Sequence, residues 1–254
     1  MAVACTNITS NFDEDGGSGS TTASVTLVAG RLYLLTVTQR RGDSTDPVEP
    51  TISSTGATWV KVNTVVFDST SSSRRRVTVF RTMVSSNQTG TITITYGSNV
   101  SDAIWILDEF TGVDTTGTNG SGATVQSATN KNEAGATSLT VTLAAFGSTN
   151  NATYGAFGWD GITSVPTVGS GFTLKVNQND SGTDLSSLTE FRSDNDTSVD
   201  SSYSPAAGLI GGIAIEIKAA ATTSIKTILG LAKASVKTVN GLAIASVKTV
   251  NGLA

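Results

Sequence analysis

The sequence predicts an all-β protein: a β-sandwich or jelly roll followed by a short C-terminal tail of β-hairpin repeats. Three observations carry this. Apolar residues alternate with hydroxyl residues in many short segments, turn signals recur between those segments, and no sustained helical stripe precedes residue 220. Alternation is what a half-buried strand requires, because successive side chains point to opposite faces.

In chain order, the first extended candidates are residues 22–28, 31–39, 57–67 and 75–84. The clearest alternation follows, with Ile92, Ile94 and Tyr96 set against Thr91, Thr93 and Thr95. Residues 103–110 come next, and then Leu139, Val141 and Leu143 set against Thr140 and Thr142. Residues 151–159, 171–177 and 185–192 precede the final run, in which Ile213, Ile215 and Ile217 alternate with Ala214, Glu216 and Lys218. Gly16-Gly17, the segment 114–122, residues 147–151 and residues 169–171 punctuate the series with glycine, asparagine and aspartate, residues suited to tight turns. The expected organisation is an N-terminal arm over 1–20, a sandwich over 21–220 and a repeat tail over 221–254.

The chain has 254 residues, 38% hydrophobic and 14% charged, which suits a folded domain better than a disordered polyelectrolyte. It has no histidine and one cysteine, Cys5. Ser-His-Asp and Cys-His chemistry, His-ligated zinc, an intrachain disulfide and a four-thiolate metal site are therefore excluded. A net charge of −4 argues against general nucleic-acid binding. No stretch of about 18 apolar residues exists to span a bilayer as a helix. The N-terminal residues lack a basic, apolar leader pattern, so the expectation is a product made in the cytoplasm and kept reduced.

The tail is an 11-residue repeat: SIKTILGLAKA at 224–234, SVKTVNGLAIA at 235–245 and a truncated SVKTVNGLA at 246–254. A right-handed helical supercoil has this period. Glycine in every copy and abundant β-branched residues favour hairpins instead, with Leu231 to Val239 and Leu242 to Val250 as strands joined at Asn240-Gly241. Charge is segregated. Residues 1–216 carry a net −9, whereas residues 217–254 hold five lysines and no acid. Lys226, Lys237, Asn240, Gly241, Leu242, Lys248, Asn251 and Gly252 are the candidate assembly or attachment residues. A ribbon this small needs a surface or another copy to pack on.

Other features offer weaker chemistry. Trp159 and Asp160, near a turn, are candidates for glycan stacking and hydrogen bonding; Trp59, Trp105, Tyr154 and Tyr203 could extend such a platform, against core packing. Asp194, Asp196 and Asp200 could supply oxygens to calcium, as could Asp13 to Asp15, against a reading as solvated turns. Beyond that possible Ca2+ no cofactor is expected, and no metal site is assigned with assurance. Asp108 and Glu109 are adjacent carboxylates, but a regular strand sends them to opposite faces, so either would need Glu190 or Asp160 as partner for glycoside hydrolysis. Arg74, Arg75 and Arg76 read as an exposed strand start guarded by charge. Cys5 has no neighbouring base in sequence and reads as an inert thiol.

Residues 109–120 (EFTGVDTTGTNG) and 137–147 (TSLTVTLAAFG) resemble jelly-roll domains of tailed-bacteriophage virion proteins, and the tail is similar to C-terminal repeats of such proteins. The resemblance covers 109–147 and 224–254. It implies a particle component, a head decoration or fibre protein ahead of a tail location, and it carries no catalytic motif. The expectation is a non-enzymatic virion protein that forms a homo-oligomer, a trimer by preference, through its repeats. Its other partners would be capsid or tail components. The alternative is a carbohydrate-binding adhesin or tail-associated receptor-binding protein that meets a host surface glycan, with no nucleic acid or membrane involved.

Overall fold

The computed structural model describes residues 2–13, 17–68, 72–161, 165–180, 185–204, 208–221, 227–228, 231–232, 238–239 and 242–243. Among them there is no helix. The chain divides into two units, Met1–Ala220 and Ala221–Ala254.

In the first unit, strands are numbered in chain order. One five-stranded antiparallel sheet runs β1 (Ala4–Asp13), β10 (Val100–Thr111), β4 (Leu32–Arg41), β7 (Arg74–Thr82) and β6 (Val60–Phe67). A second runs β11 (Thr124–Ala136), β18 (Gly208–Ile217), β13 (Ala152–Asp160), β16 (Leu185–Arg192) and β15 (Thr173–Asp180). Taken in chain order, the strands of each sheet occupy the same sequence of places: first, third, fifth, fourth, second.

The minor strands repeat too. β2 (Gly19–Thr21), β9 (Ile92–Thr95) and β5 (Thr51–Ser54) form one three-stranded sheet, with β3 (Val25–Leu27) paired to β8 (Gln88–Gly90) beside them in sequence. β12 (Ser138–Thr142), β17 (Ser198–Ser204) and β14 (Val165–Val168) form the other, with the same order of insertion between major strands. The first unit is therefore two sandwiches of one winding, spanning about residues 2–113 and 121–220. The expectation of a single sandwich over 21–220 is refined accordingly. Residues 1–20, expected as an arm, instead supply β1 and β2, and β1 pairs with β10 from Ala4 to Asp13.

The registers align the halves residue by residue. Phe110 lies opposite Leu32 in one, and Ile217 opposite Ala152 in the other. Glu109 and Glu216 then hold matching places, opposite Tyr33 and Thr153.

Three apolar layers explain the strand compositions. Leu32, Leu34, Phe67, Val77, Val79 and Phe110 of the first major sheet meet Ala152, Tyr154, Ala156, Phe191, Ile213 and Ile215 of the second in a central core. On the outer side of the first sheet, Tyr33, Leu35, Val37 and Trp105 pack against Ile92 and Ile94 of the minor sheet. On the outer side of the second, Phe157, Trp159 and Leu188 pack against Leu139, Val141, Val199 and Tyr203. The major sheets thus have apolar contacts on both faces, which is why β4 and β13 read as nearly continuous apolar runs while β12, covered on one face, keeps strict alternation. Fully burying one large apolar side chain contributes about 1.5–3 kcal/mol, so the shared central core is a main source of cohesion between the halves.

Close packing sets two glycines. The Phe67 ring lies over Gly158 and Gly211, where an added Cβ would come within 3.3 Å and 2.5 Å of ring carbons.

In the second unit, β19 (Thr227–Ile228) pairs antiparallel with β20 (Leu231–Ala232), and β21 (Thr238–Val239) with β22 (Leu242–Ala243). Ile228 opposes Leu231 and Val239 opposes Leu242, so the pairing recurs at the repeat distance. Leu242 belongs to β22. Lys226, Lys237, Asn240, Gly241, Lys248, Asn251 and Gly252 lie outside the described residues, as does most of the two nine-residue strands expected there.

Candidate functional site

The residues singled out for chemistry fall into separate environments. Alternation on β10 sends Asp108 and Glu109 apart, as the period of a strand requires. Asp108 enters the central core, accepting from Asn7 Nδ2 at 3.0 Å and from the Tyr154 hydroxyl at 2.8 Å. Burial raises the Asp108 carboxyl above its ordinary range, and burial followed by the charge of Asp108 raises the Tyr154 hydroxyl. Tyr154 also shares a hydrogen bond with the Thr36 hydroxyl at 3.1 Å, so this network ties one major sheet to the other. Nearby Cys5 is buried, and burial pushes its thiol well up, away from the reactive thiolate.

Glu109 turns the other way. It accepts from Arg31 Nη1 at 2.6 Å and from the Tyr33 hydroxyl at 2.5 Å. Burial first and this hydrogen bond second raise the Tyr33 hydroxyl. The matching Glu216 accepts from Asn151 Nδ2 at 2.5 Å and Gln126 Nε2 at 2.7 Å. Each is a buried carboxylate bound to the chain that enters the neighbouring central strand, a fastening role.

Glu190, on β16, is 0% exposed and faces the outer core of the second sandwich. Its Oε2 accepts from the Gly169 N–H at 3.2 Å, and its Oε1 has no partner among the described residues. Burial, with a smaller contribution from Asp200, pushes its pKa up to about 8. Gly155 makes room for it: a Cβ there would stand 2.8 Å from Glu190 Oε1. Asp108 and Glu190 therefore lie on opposite faces of the second major sheet, and neither pairs with the other across a cleft.

The glycan candidates need correction. Trp159 is 1% exposed and packs on Tyr203 with ring centroids 4.2 Å apart, so it has no face to offer a sugar. Tyr154, Tyr203 and Trp105 are buried as well, and Trp59 donates to Ser54 Oγ at 2.9 Å. Asp160 accepts from Arg75 Nη2 at 2.7 Å. Arg75 also pairs with the buried Asp68, and it is itself 3% exposed. The expectation of an exposed arginine run thus fails at Arg75, whose place on β7 turns it inward between two carboxylates. Arg74 and Arg76 stay at the rim, on Asp46 at 2.6 Å and on the Pro47 carbonyl at 2.7 Å.

Two of the calcium candidates, Asp194 and Asp196, are committed to an arginine. Arg192 binds Asp194 and, at 2.5 Å, Asp196. The Asp196 carboxylate also accepts from the Ser198 N–H at 2.9 Å. Asp194 and Asp196 raise the Arg192 pKa, Asp194 most through its hydrogen bond. Asp200 stands on β17, its carboxyl raised by burial and then by Asp196. Asp13 accepts from Ser20 Oγ at 3.1 Å, and Glu14 and Asp15 lie outside the described residues. Among the described residues no group of three or more Cys, Asp or Glu side chains is placed to hold a metal ion.

One surface feature escaped sequence reasoning. An open cleft of about 390 Å³ lies where three turns of the first sandwich converge: Ala29-Gly30 before β4, Met83 to Ser85 after β7, and the connector between the halves at Thr115 to Asn119. Its only hint in sequence is the cluster of Gly and Asn in the connector, which signals turns without saying what they enclose.

Comparison of the chain with known protein families, curated proteins and solved structures finds no match.

Proposed function

We propose that the protein is a structural component of a phage particle, a two-sandwich body displayed as a homo-oligomer and assembled through its C-terminal repeats. The observation that carries this reading is the repeat itself. The same antiparallel pair recurs eleven residues on, as Ile228–Leu231 and Val239–Leu242, within a segment whose charges are all positive. Two-residue strand pairs are too small to be stable alone, and near-identical edges offered several times suit strand addition between copies. A closed ring of three copies satisfies such edges symmetrically. The body supports a scaffold role: its Asp108, Glu109 and Glu216 carboxylates fasten sheets and strands together.

Light scattering after size exclusion, on the full chain and on residues 1–220, tests this. Residues 1–220 contain all three apolar cores and constitute a compact unit. The expected result is a trimer that becomes a folded monomer on truncation. Equal mass per particle, in copies, for both proteins would overturn the assembly role of the tail.

A further inference from the structure

The cleft between the three turns has the chemistry of a small-ligand site, and we propose that it binds a neutral pyranose unit of a glycan. Its size falls in the range of small-molecule sites. Its apolar lining comprises the buried Val84, the half-buried Met83 and the exposed Ala29. Ser85, Thr115 and Asn119, with two hydroxyls and a carboxamide, line it as well. Among the described residues these three side chains make no hydrogen bond, so their donors and acceptors are available to a ligand. A lining that combines apolar side chains with uncharged donors and acceptors suits a sugar ring, which presents C–H groups on one face and hydroxyls at its edge.

The absence of formal charge from the lining selects against charged ligands, since a buried or half-buried ion needs a partner. Arg31, next to Gly30 in sequence, is already paired with Glu109.

The walls are held in place before any ligand arrives. Gly30 N–H donates to the Val84 carbonyl at 3.0 Å and Ala29 N–H to Asn87 Oδ1 at 2.9 Å, joining two of the turns. The connector is closed on itself by Ser121 N–H to the Thr118 carbonyl and Gly122 N–H to the Thr116 carbonyl, at 3.0 and 3.1 Å. Gly117, Asn119 and Gly120 take φ of 78°, 51° and 80°, a left-handed path that glycine and asparagine adopt readily. Gly120 sits so close to β4 that a Cβ would lie 2.7 Å from Leu32 Cδ1. A preformed site loses less ordering entropy on binding. The site is independent of the tail and of the assembly reading.

The test is saturation-transfer NMR on the full chain with the methyl pyranosides of glucose, galactose, mannose and N-acetylglucosamine at millimolar concentration. Transfer to at least one of them is expected. It should vanish in Ala29→Trp, which fills the cleft from an exposed position. Affinity should weaken about fivefold for each polar group removed in Ser85→Ala, Thr115→Ala and Asn119→Gly, the last of which tolerates the left-handed backbone. An unchanged amide spectrum identifies variants that remain folded, and the exposed Ser85→Ala and Thr115→Ala variants serve if Ala29→Trp does not fold. No transfer to any of the four sugars, or transfer that survives every folded variant unchanged, overturns the proposal.

Discussion

The two sandwiches share one winding but not one interior. Three residues after the matched Leu32 and Ala152 come Leu35 and Gly155; Leu35 opposes Phe80, whereas Gly155 opposes Glu190. The first sandwich fills this place with an aliphatic and an aromatic side chain, both buried. The second fills it with a glycine and a buried carboxyl group. The strand order survives this exchange because it is set by alternation and by turn placement, which fix the face each side chain takes rather than the chemistry of every layer. The difference falls on energetics: at this matched place one half has only apolar side chains, and the other has a group that resists ionisation.

The largest test of the comparison lies where the halves meet. Phe67→Ala empties the space over Gly158 and Gly211, and glycines have no side chain with which to refill it. A loss of about 3–5 kcal/mol is expected by urea unfolding, carried by both halves together. A loss confined to the first sandwich would mean that the halves are only loosely joined.

Next comes Glu190. Its pKa rises from an ordinary 4.5 to about 8 on folding, so the folded state holds its proton more tightly than the unfolded state does. Its effect on stability is therefore most favourable below the ordinary value and is progressively lost as pH climbs toward 8. The cost by pH 9 is on the order of a few kcal/mol. Melting temperature should fall across that interval in the native protein, and Glu190→Gln should flatten the fall. Parallel pH profiles for the two proteins would place the carboxyl in contact with water. In the first sandwich, Phe80→Leu should leave the pH profile unchanged.

The smallest contrast concerns the matched glutamates. Asn151→Ala removes a donor from Glu216, which is 1% exposed, and is expected to cost about 1–3 kcal/mol. Arg31→Ala removes a guanidinium whose side chain is 40% exposed, leaving Tyr33 on Glu109, and is expected to cost less than about 1 kcal/mol. Equal costs by thermal unfolding would show that exposure does not distinguish the two fastenings.

Much of this was legible in the residues. Alternation located most major strands, including the opposite facing of Asp108 and Glu109, because period two is a local property of the chain. The duplication was not legible, although Val25-Thr26-Leu27 and Val141-Thr142-Leu143 both precede a central strand. A match of three residues is too short to stand out where valine, threonine and leucine are the ordinary material of strands. Trp159 was misplaced because its neighbours Gly158 and Gly161 suggest a turn, whereas Gly158 is there to admit the central core packing of Phe67, Thr38 and Val77. Arg75 and Glu190 were missed for a related reason. A charged residue in sequence implies solvent by default, and only tertiary contacts supply the carboxylates that allow Arg75 inside or the glycine that accommodates Glu190. The cleft joins three segments far apart in the chain, so no local pattern could announce it.

The central claim is that the two sandwiches, fused across a shared core, behave as one body. The most direct measurement is urea unfolding followed by fluorescence in two variants. Trp59→Phe with Trp159→Phe leaves Trp105 as reporter of the first outer core, and Trp59→Phe with Trp105→Phe leaves Trp159 as reporter of the second. Each variant is also followed by circular dichroism to normalise its own stability. The expected result is a single transition in each variant, with the fluorescence and circular dichroism midpoints coincident. A tryptophan signal that changes at one denaturant concentration while half of the strand signal persists to another would contradict it.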